Sequence, residues 1–162
     1  MSWTEIGNTV CPIARSLAVV GDRWTLLIVR ELFLGSRRFE EFQVQTGISS
    51  HLLSTRLKRL VEDEIVERRQ YSERPVRFEY RLTDKGLDLY PLLLSLKGWG
   101  EKWGGLRKGA APALSIVHDR CGHETGLKLS CPSCGEPFGP RDASVKIGDK
   151  FLSERRSRRN AG

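Results

Sequence analysis

Residues 39–62 read FEEFQVQTGISSHLLSTRLKRLVE, and this stretch decides the fold. Phe39 to Gln45 has the spacing of a short helix that stops at Gly47. Ser49 or Ser50 then offers a hydroxyl to cap a longer helix running to about Asp63. A short helix, a glycine-bearing turn (Thr46-Gly47-Ile48) and a longer helix make a helix-turn-helix. At about 100° per residue, Leu53, Leu57, Leu60 and Val61 fall on one stripe that must face a core. His51, Thr55 and Lys58 fall opposite, with Ser54 and Arg59 on the flanks. Ser49, Ser50, His51, Ser54, Thr55, Lys58 and Arg59 are therefore candidate DNA-binding residues. A major groove admits small hydroxyl and basic side chains that reach base edges, and a helix N-terminus aims N–H groups at phosphate. The competing reading is a solvated polar face on an amphipathic helix.

The chain on either side supports the first reading. Ile65 to Tyr71 and Val76 to Leu82 alternate apolar and polar residues around the turn tetrad Ser72-Glu73-Arg74-Pro75, the pattern of a β-hairpin. Arg68, Arg69, Arg74 and Arg77 on this ribbon form a wing able to reach flanking backbone or groove. Against that stands a salt-bridged structural hairpin, since Glu67, Glu73 and Glu79 are close by. Upstream, Pro12 opens a helix over Ile13 to Val20 that Gly21 ends. Asp22 caps a second, Trp24 to Leu34, stopped by Gly35. Its apolar residues Trp24, Leu27, Ile28 and Leu32 leave Arg30 and Glu31 for the polar side. Arg56, between the buried and exposed faces of the longer helix, either pairs with Glu40 or Glu41 or reaches phosphate; a structural ion pair is favoured.

Thr83 caps a final helix to about Trp103, with a kink or restart expected near Tyr90 because Pro91 lacks a donor. Leu89, Leu92, Leu96, Trp99 and Trp103 recur at steps of three and four, an a/d seam. This stripe packs either on its own core or on a second copy. Helix-turn-helix proteins mostly read two half-sites through a two-fold dimer, which assigns it to a homodimer interface, with the tryptophans as anchors.

The expected fold class is mainly α with a β-hairpin wing, a winged helix-turn-helix, plus a small C-terminal β-rich appendage. The expected division is 1–103 for DNA binding and dimerisation, a small-residue linker over 104–112, a Cys/His module over 113–148, and a disordered basic tail over 149–162. The 162 residues suit one domain with an appendage. Lys plus Arg numbers 27 against 20 for Asp plus Glu, a net charge of +7 that favours an anionic partner. No run of about 18 apolar residues exists, so no membrane span is expected. No basic-then-apolar leader opens the chain, so a cytoplasmic location is expected. No Gly-rich phosphate loop, HExxH or G-x-S-x-G occurs, and an enzyme is not expected.

Four cysteines in a leaderless chain read first as thiols or metal ligands. His118-Asp119-Arg120-Cys121-Gly122 and Cys131-Pro132-Ser133-Cys134-Gly135 each place a ligand, two residues, a cysteine and a glycine. Two such knuckles facing each other give a closed Cys3His set, His118, Cys121, Cys131 and Cys134, suited to structural Zn2+. His123 competes for the fourth position at a less usual spacing. About 36 residues with few large apolar side chains need such a staple. Otherwise Cys131 and Cys134 are a redox pair, or the segment is an appendage with its ligands empty. A dithiol oxidoreductase would set its C-x2-C at a helix start, against which Pro132, Pro137 and Pro140 argue. Cys11 is either an inert buried thiol or a redox sensor, with Arg15 four residues on.

In motif order the chain carries Cys11-Pro12-Ile13, Gly21-Asp22-Arg23-Trp24-Thr25-Leu26-Leu27-Ile28, Arg38-Phe39-x-Glu41-Phe42, Gly47-Ile48-Ser49, Leu53-x-x-Arg56-Leu57-x-x-Leu60 and Tyr80-x-Leu82-Thr83-x-x-Gly86. Over about residues 11–103 this resembles the HxlR-type winged-helix transcription regulators, cousins of the MarR type. Family members often have Gly-Lys where this chain has Asp22-Arg23, a departure that keeps a cation before Trp24. The resemblance implies a homodimer binding an operator in double-stranded DNA, often that of a neighbouring operon; the expected role is that of a repressor. Some members carry a cysteine at the place of Cys11 and use it to sense oxidants or electrophiles; others carry it with no known use. Members with a C-terminal extension look like this chain in the pattern H-x2-C-G…C-x2-C-G-x-P. The expected effector is an oxidant or a small molecule. The alternative function is a protein-interaction module in which the knuckles and basic tail recruit a partner and DNA binding is secondary.

Overall fold

In the computed structural model, which describes residues 7–105, 109 and 111–160, Pro12 opens helix α1 (Pro12–Val20) where a missing N–H costs nothing. Asp22 organises the next start. Its Oδ1 accepts from the N–H groups of Trp24 at 2.9 Å and Thr25 at 3.1 Å, and its Oδ2 takes the Thr25 hydroxyl. Helix α2 (Thr25–Phe33) follows. In α3 (Phe39–Thr46) the Glu41 carboxylate reaches back to the N–H groups of Arg37 at 2.7 Å and Arg38 at 2.9 Å. Gly47 stops α3 at φ 71°, a left-handed conformation that favours glycine. Ser49 then caps α4 (Ser50–Glu62), its Oγ accepting from Leu52 N–H at 3.4 Å.

The hairpin pairs β1 (Val66–Glu73) with β2 (Val76–Leu82), Val66 opposite Leu82 and Glu73 opposite Val76, with an irregularity between Gln70 and Ser72. Thr83 closes it. Its hydroxyl donates to the Glu64 carbonyl at 2.6 Å and accepts from Gly86 N–H at 3.1 Å, starting the short helix α5 (Asp84–Leu87). A Cβ on Gly86 would come within 2.2 Å of the Ile65 carbonyl oxygen, so only glycine lets α5 lie this close to the start of the wing. The chain restarts in α6 (Tyr90–Trp103), one residue before Pro91, as the missing donor requires. Beyond it come β3 (Ile116–Val117), β4 (Glu124–Thr125) and α7 (Asp149–Asn160).

The core joins the helix-turn-helix to the wing. Ile28, Val29 and Leu32 of α2, Phe42 of α3, Ile48 of the turn, Leu53, Leu57 and Leu60 of α4, and Ile65 and Val66 are all buried. Val61, assigned to the same stripe, is half-buried. The Phe42 and Tyr80 rings meet edge to face at 6.1 Å, and Tyr80 N–H donates to the Arg37 carbonyl at 2.8 Å. The wing is thereby hooked onto the segment that leads into α3.

Three expectations need correction. Glu31 is not on a solvent face: it is 5% exposed, and Arg30 reaches over it with Nε 2.8 Å and Nη2 2.6 Å from its carboxylate. A buried carboxylate is tolerable with such a partner. Arg56 is structural, but its partner is Asp22, at 3.3 Å, because Glu41 is spent on the α3 start. Residues 149–162 are not without order, since Asp149–Asn160 forms α7. Glu154 accepts from the Thr9 hydroxyl at 2.5 Å and Val10 N–H at 2.9 Å, a contact no local pattern reveals. Residues 161–162 of that tail, 106–108 and 110 of the linker, and 1–6 of the lead lie outside the described residues.

The chain divides into two compact units. One runs to Asp88 and takes up the chain again at Lys146; the other is Leu89–Val145. The boundary falls at the end of α5, so α6 groups with the Cys/His segment. Among the described residues no helix is long and apolar enough to cross a membrane.

Asp22 makes stability acid-sensitive. Its partial burial alone would raise its pKa, but the Thr25 hydroxyl, the N–H groups of Trp24 and Thr25, and Arg56 outweigh that and hold it below the ordinary aspartate value of 3.8. A depressed folded pKa contributes stability that is present above the unfolded value and lost as pH falls through the folded one. Urea midpoints should therefore fall as pH drops below about 4. The Asp22→Asn variant should start from a lower midpoint and lose less over that range. Parallel curves for the two proteins would remove Asp22 from the acid response.

Candidate nucleic-acid interface

Helix α4 presents the surface that its periodicity predicts. Leu53, Leu57 and Leu60 face inward at 0–2% exposure. Ser49, Ser50, His51, Ser54, Thr55, Lys58 and Arg59 are all exposed. They are not equally available. Ser49 is occupied as the helix cap. The Ser50 hydroxyl takes a bond from Gln43 Nε2 at 2.8 Å, tying α3 to the start of α4. Thr55 donates back to the His51 carbonyl at 3.0 Å. Lys58 sits 3.7 Å from Glu62 on an open surface, a pair that costs little to break. Arg59 is committed elsewhere: Nη2 donates to the Ala18 carbonyl at 2.8 Å and Nε lies 3.6 Å from Asp63. It clamps α4 to α1. On this face His51, Ser54, Thr55 and Lys58 are the expected residues left exposed without a bond to another element among the described residues.

The four wing arginines also separate by partner. Arg68 stacks on Phe78 at 3.6 Å, a diagonal neighbour on the same face of the hairpin. Arg69 pairs with Glu67 at 2.6 Å. Arg74 and Arg77 are exposed, and their guanidinium groups have no protein partner among the described residues. They stand at the turn end of the ribbon. Sequence reasoning missed Arg38, which is exposed and lies 5.0 Å from the Tyr71 ring centre, adding a cation beside the wing. Its local signal was weak, since Arg37-Arg38 reads as an ordinary polar turn before α3. Glu41 next to this cluster has its pKa lowered, first by Arg37 N–H, then by Arg38 N–H.

On α6, Leu92 is 38%, Leu96 45%, Trp99 65% and Trp103 63% exposed, while Leu89 is half-buried. Cys11 is the N-cap residue of α1, half-buried and a free thiol, its N–H donating to Thr9 Oγ1 at 3.1 Å. Of the four expected zinc ligands, His118 and Cys121 meet with Nδ1 and Sγ 3.2 Å apart. Cys131 lies beside Cys134; the Cys134 N–H, the Ser133 N–H and the Cys134 thiol lower its pKa. The two pairs are not brought together, because among the described residues no three His, Cys, Asp or Glu side chains share one point. His123 supplies its carbonyl to His118 N–H at 3.0 Å.

The description "HxlR-like helix-turn-helix" matches residues 19–108, more than half of the chain. The chain belongs to that family. It is 39% identical over 142 residues to the HTH-type transcriptional regulator Rv3095 of Mycobacterium tuberculosis, covering 88% of this chain and 89% of that one. A match of that length cannot be held by the first 108 residues and extends into the C-terminal segment. The crystal structure of the transcription-factor candidate PA1607 superposes with a TM-score of 0.78 at 34% identity, covering 89% of this chain and 99% of that one. The redox regulator HypR in its reduced form superposes at 0.55 with 33% identity, covering 59% of this chain and 95% of its own. This HxlR-like chain is thus a DNA-binding transcription regulator of helix-turn-helix type, and its family is one of regulators rather than enzymes.

Proposed function

We propose that this HxlR-like protein is a homodimeric repressor that reads an operator with α4 and grips the flanking backbone with its wing. The observation carrying this reading is the exposed polar face from His51 to Lys58, taken with Arg74 and Arg77, whose guanidinium groups have no partner among the described residues. Hydroxyl, imidazole and ammonium groups there suit base edges and phosphates, and no bulky side chain blocks the approach. The second copy seats on the exposed leucine and tryptophan stripe of α6. Two half-sites one helical turn apart require a two-fold axis, and a stripe holding Trp99 and Trp103 is unfavourable in water. Gel shifts on the protein's own upstream DNA over a salt series, beside sedimentation of the free protein, test both parts. A selective shift by a dimer is expected. A monomer, or a shift equal on all DNA that vanishes steeply with salt, would sink the reading.

The releasing signal in this proposal is oxidation of the Cys11 thiol or binding of a small molecule. HypR, with which the chain shares 33% identity, is a redox regulator known in reduced and oxidised forms. Cys11 caps the start of α1, the helix to which Arg59 clamps α4. A change at Cys11 can thus be felt by the reading helix through one intervening element. The Cys11→Ser variant is expected to keep operator affinity within about twofold and to lose any release by diamide. A variant still released by oxidant would leave the small-molecule signal alone.

A further inference from the structure

We propose that the segment from Ile116 to Phe138 is a zinc ribbon holding one structural Zn2+ through His118 Nδ1 and the thiolates of Cys121, Cys131 and Cys134. The first observation is that the two stretches sharing the ligand-x-x-Cys-Gly pattern fold into the same turn. In the first, His118 N–H donates to the His123 carbonyl at 3.0 Å, and Gly122 N–H donates to the His118 carbonyl at 2.8 Å. In the second, Cys131 N–H donates to the Glu136 carbonyl at 2.8 Å, and Gly135 N–H donates to the Cys131 carbonyl at 2.8 Å. Donor and acceptor offsets are identical, and the glycines share a left-handed backbone at φ 72° and 76°. Each turn sits at the tip of a small hairpin. The β3–β4 pair supports the first, and the Ser130–Pro137 bridge with Phe138 N–H on the Leu129 carbonyl supports the second.

The turn places a pair of ligands side by side. His118 Nδ1 and Cys121 Sγ already lie 3.2 Å apart, close to the edge of a tetrahedral N,S coordination shell. In the second turn the N–H groups of Ser133 and Cys134 aim at Cys131 Sγ. Each knuckle supplies half of a Cys3His set, and the two halves stand apart in the structure. Closing them on an ion is the step that remains, as in small metal modules whose binding energy is folding energy.

The second observation is that the described residues of the segment form no buried core. Among the described residues of 111–145 none is buried. Leu114, Val117, Leu127, Leu129 and Phe138 are 38–56% exposed. Two hairpins of this size without a core need a staple. Three thiolates and an imidazole favour zinc over hard cations, and four protein ligands leave no open position for chemistry. On binding, three thiols release their protons to solvent and His118 donates as the neutral imidazole. His118 rather than His123 is the fourth ligand, because among the described residues His118, and not His123, turns a ring nitrogen to a cysteine sulfur.

The test uses the full chain, untagged and reduced, with metal measured by atomic emission after exposure to a weak chelator. One zinc per chain is expected, retained by His123→Ala and lost by more than tenfold in His118→Ala, Cys121→Ser, Cys131→Ser and Cys134→Ser. Replacement of zinc by Cd2+ counts sulfurs through the thiolate-to-metal absorption. His118→Cys should keep one metal and raise that absorption by about one third, from three thiolates to four. This gain guards against variants that merely fail to fold. Metal-free protein, iron in place of zinc, or loss on His123→Ala with retention on His118→Ala would overturn the assignment. None of these outcomes depends on the DNA reading.

Discussion

Arg74→Ala combined with Arg77→Ala is expected to weaken operator binding about thirtyfold at about 0.15 M salt, and to do so alike on specific and nonspecific DNA. Each phosphate neutralised contributes about 0.9 to the slope of log affinity against log salt, which at that concentration is roughly fivefold per contact. Two lost contacts multiply, and the salt slope should become shallower by about two. Both guanidiniums are exposed and, among the described residues, have no carboxylate to release first, so their full charge is available. Arg69 offers a contrast, because Glu67 holds it at 2.6 Å and its removal frees a compensating negative charge. Arg59→Ala should behave differently again. It breaks the bond to the Ala18 carbonyl, so the change should appear in urea unfolding before it appears in the salt slope. Fluorescence anisotropy on operator and scrambled duplexes across a salt series measures all of this. An unchanged slope in the double variant would show that the wing does not touch backbone. A loss confined to operator would make these arginines readers of bases rather than of phosphates.

Phe42→Ala should destabilise the DNA-binding unit by about 3–5 kcal/mol, the usual cost of emptying a buried aromatic site. Phe42 is 0% exposed and is among the largest wholly buried side chains. Its ring also meets Tyr80 edge to face, so its loss unseats the strand that Tyr80 N–H ties to Arg37. Total stabilities of about 5–15 kcal/mol make such a loss a large share of the whole. The urea midpoint should fall with the slope unchanged. Phe42→Leu, which keeps most of the volume, should cost less than about 1.5 kcal/mol. Equal effects from the two substitutions would mean that packing against Tyr80, rather than volume, dominates the site. A negligible effect from alanine would contradict the core described above.

Much of the candidate interface was legible along the chain, because its determinants are local. Gly47 ends α3 in a conformation other residues avoid, Ser49 caps α4 through its own third neighbour, and leucines at helical spacing orient the helix. The exposed face of α4 follows from which face is buried. The arginine wing followed from alternation on either side of a turn. Availability of those cations was not legible. Arg59 and Arg69 look the same as Arg77 in a sequence, and only distances separate a clamp and an ion pair from a free guanidinium.

By itself the amino-acid sequence determined the helix-turn-helix, the wing, the break before Pro91 and the twin Cys/His turns. Each depends on dihedral preferences, caps and periodicities that act over a few residues. Only the tertiary structure decided that Glu31 is buried under Arg30, that Arg56 belongs to Asp22, and that the basic C-terminal stretch is helical with Glu154 bonded to Thr9. The last two join residues 34 and 145 positions apart, and the burial of Glu31 depends on what packs around α2. A charged side chain is long and is satisfied by any partner of opposite sign, so its choice is settled by packing of the backbone and not by its neighbours in sequence.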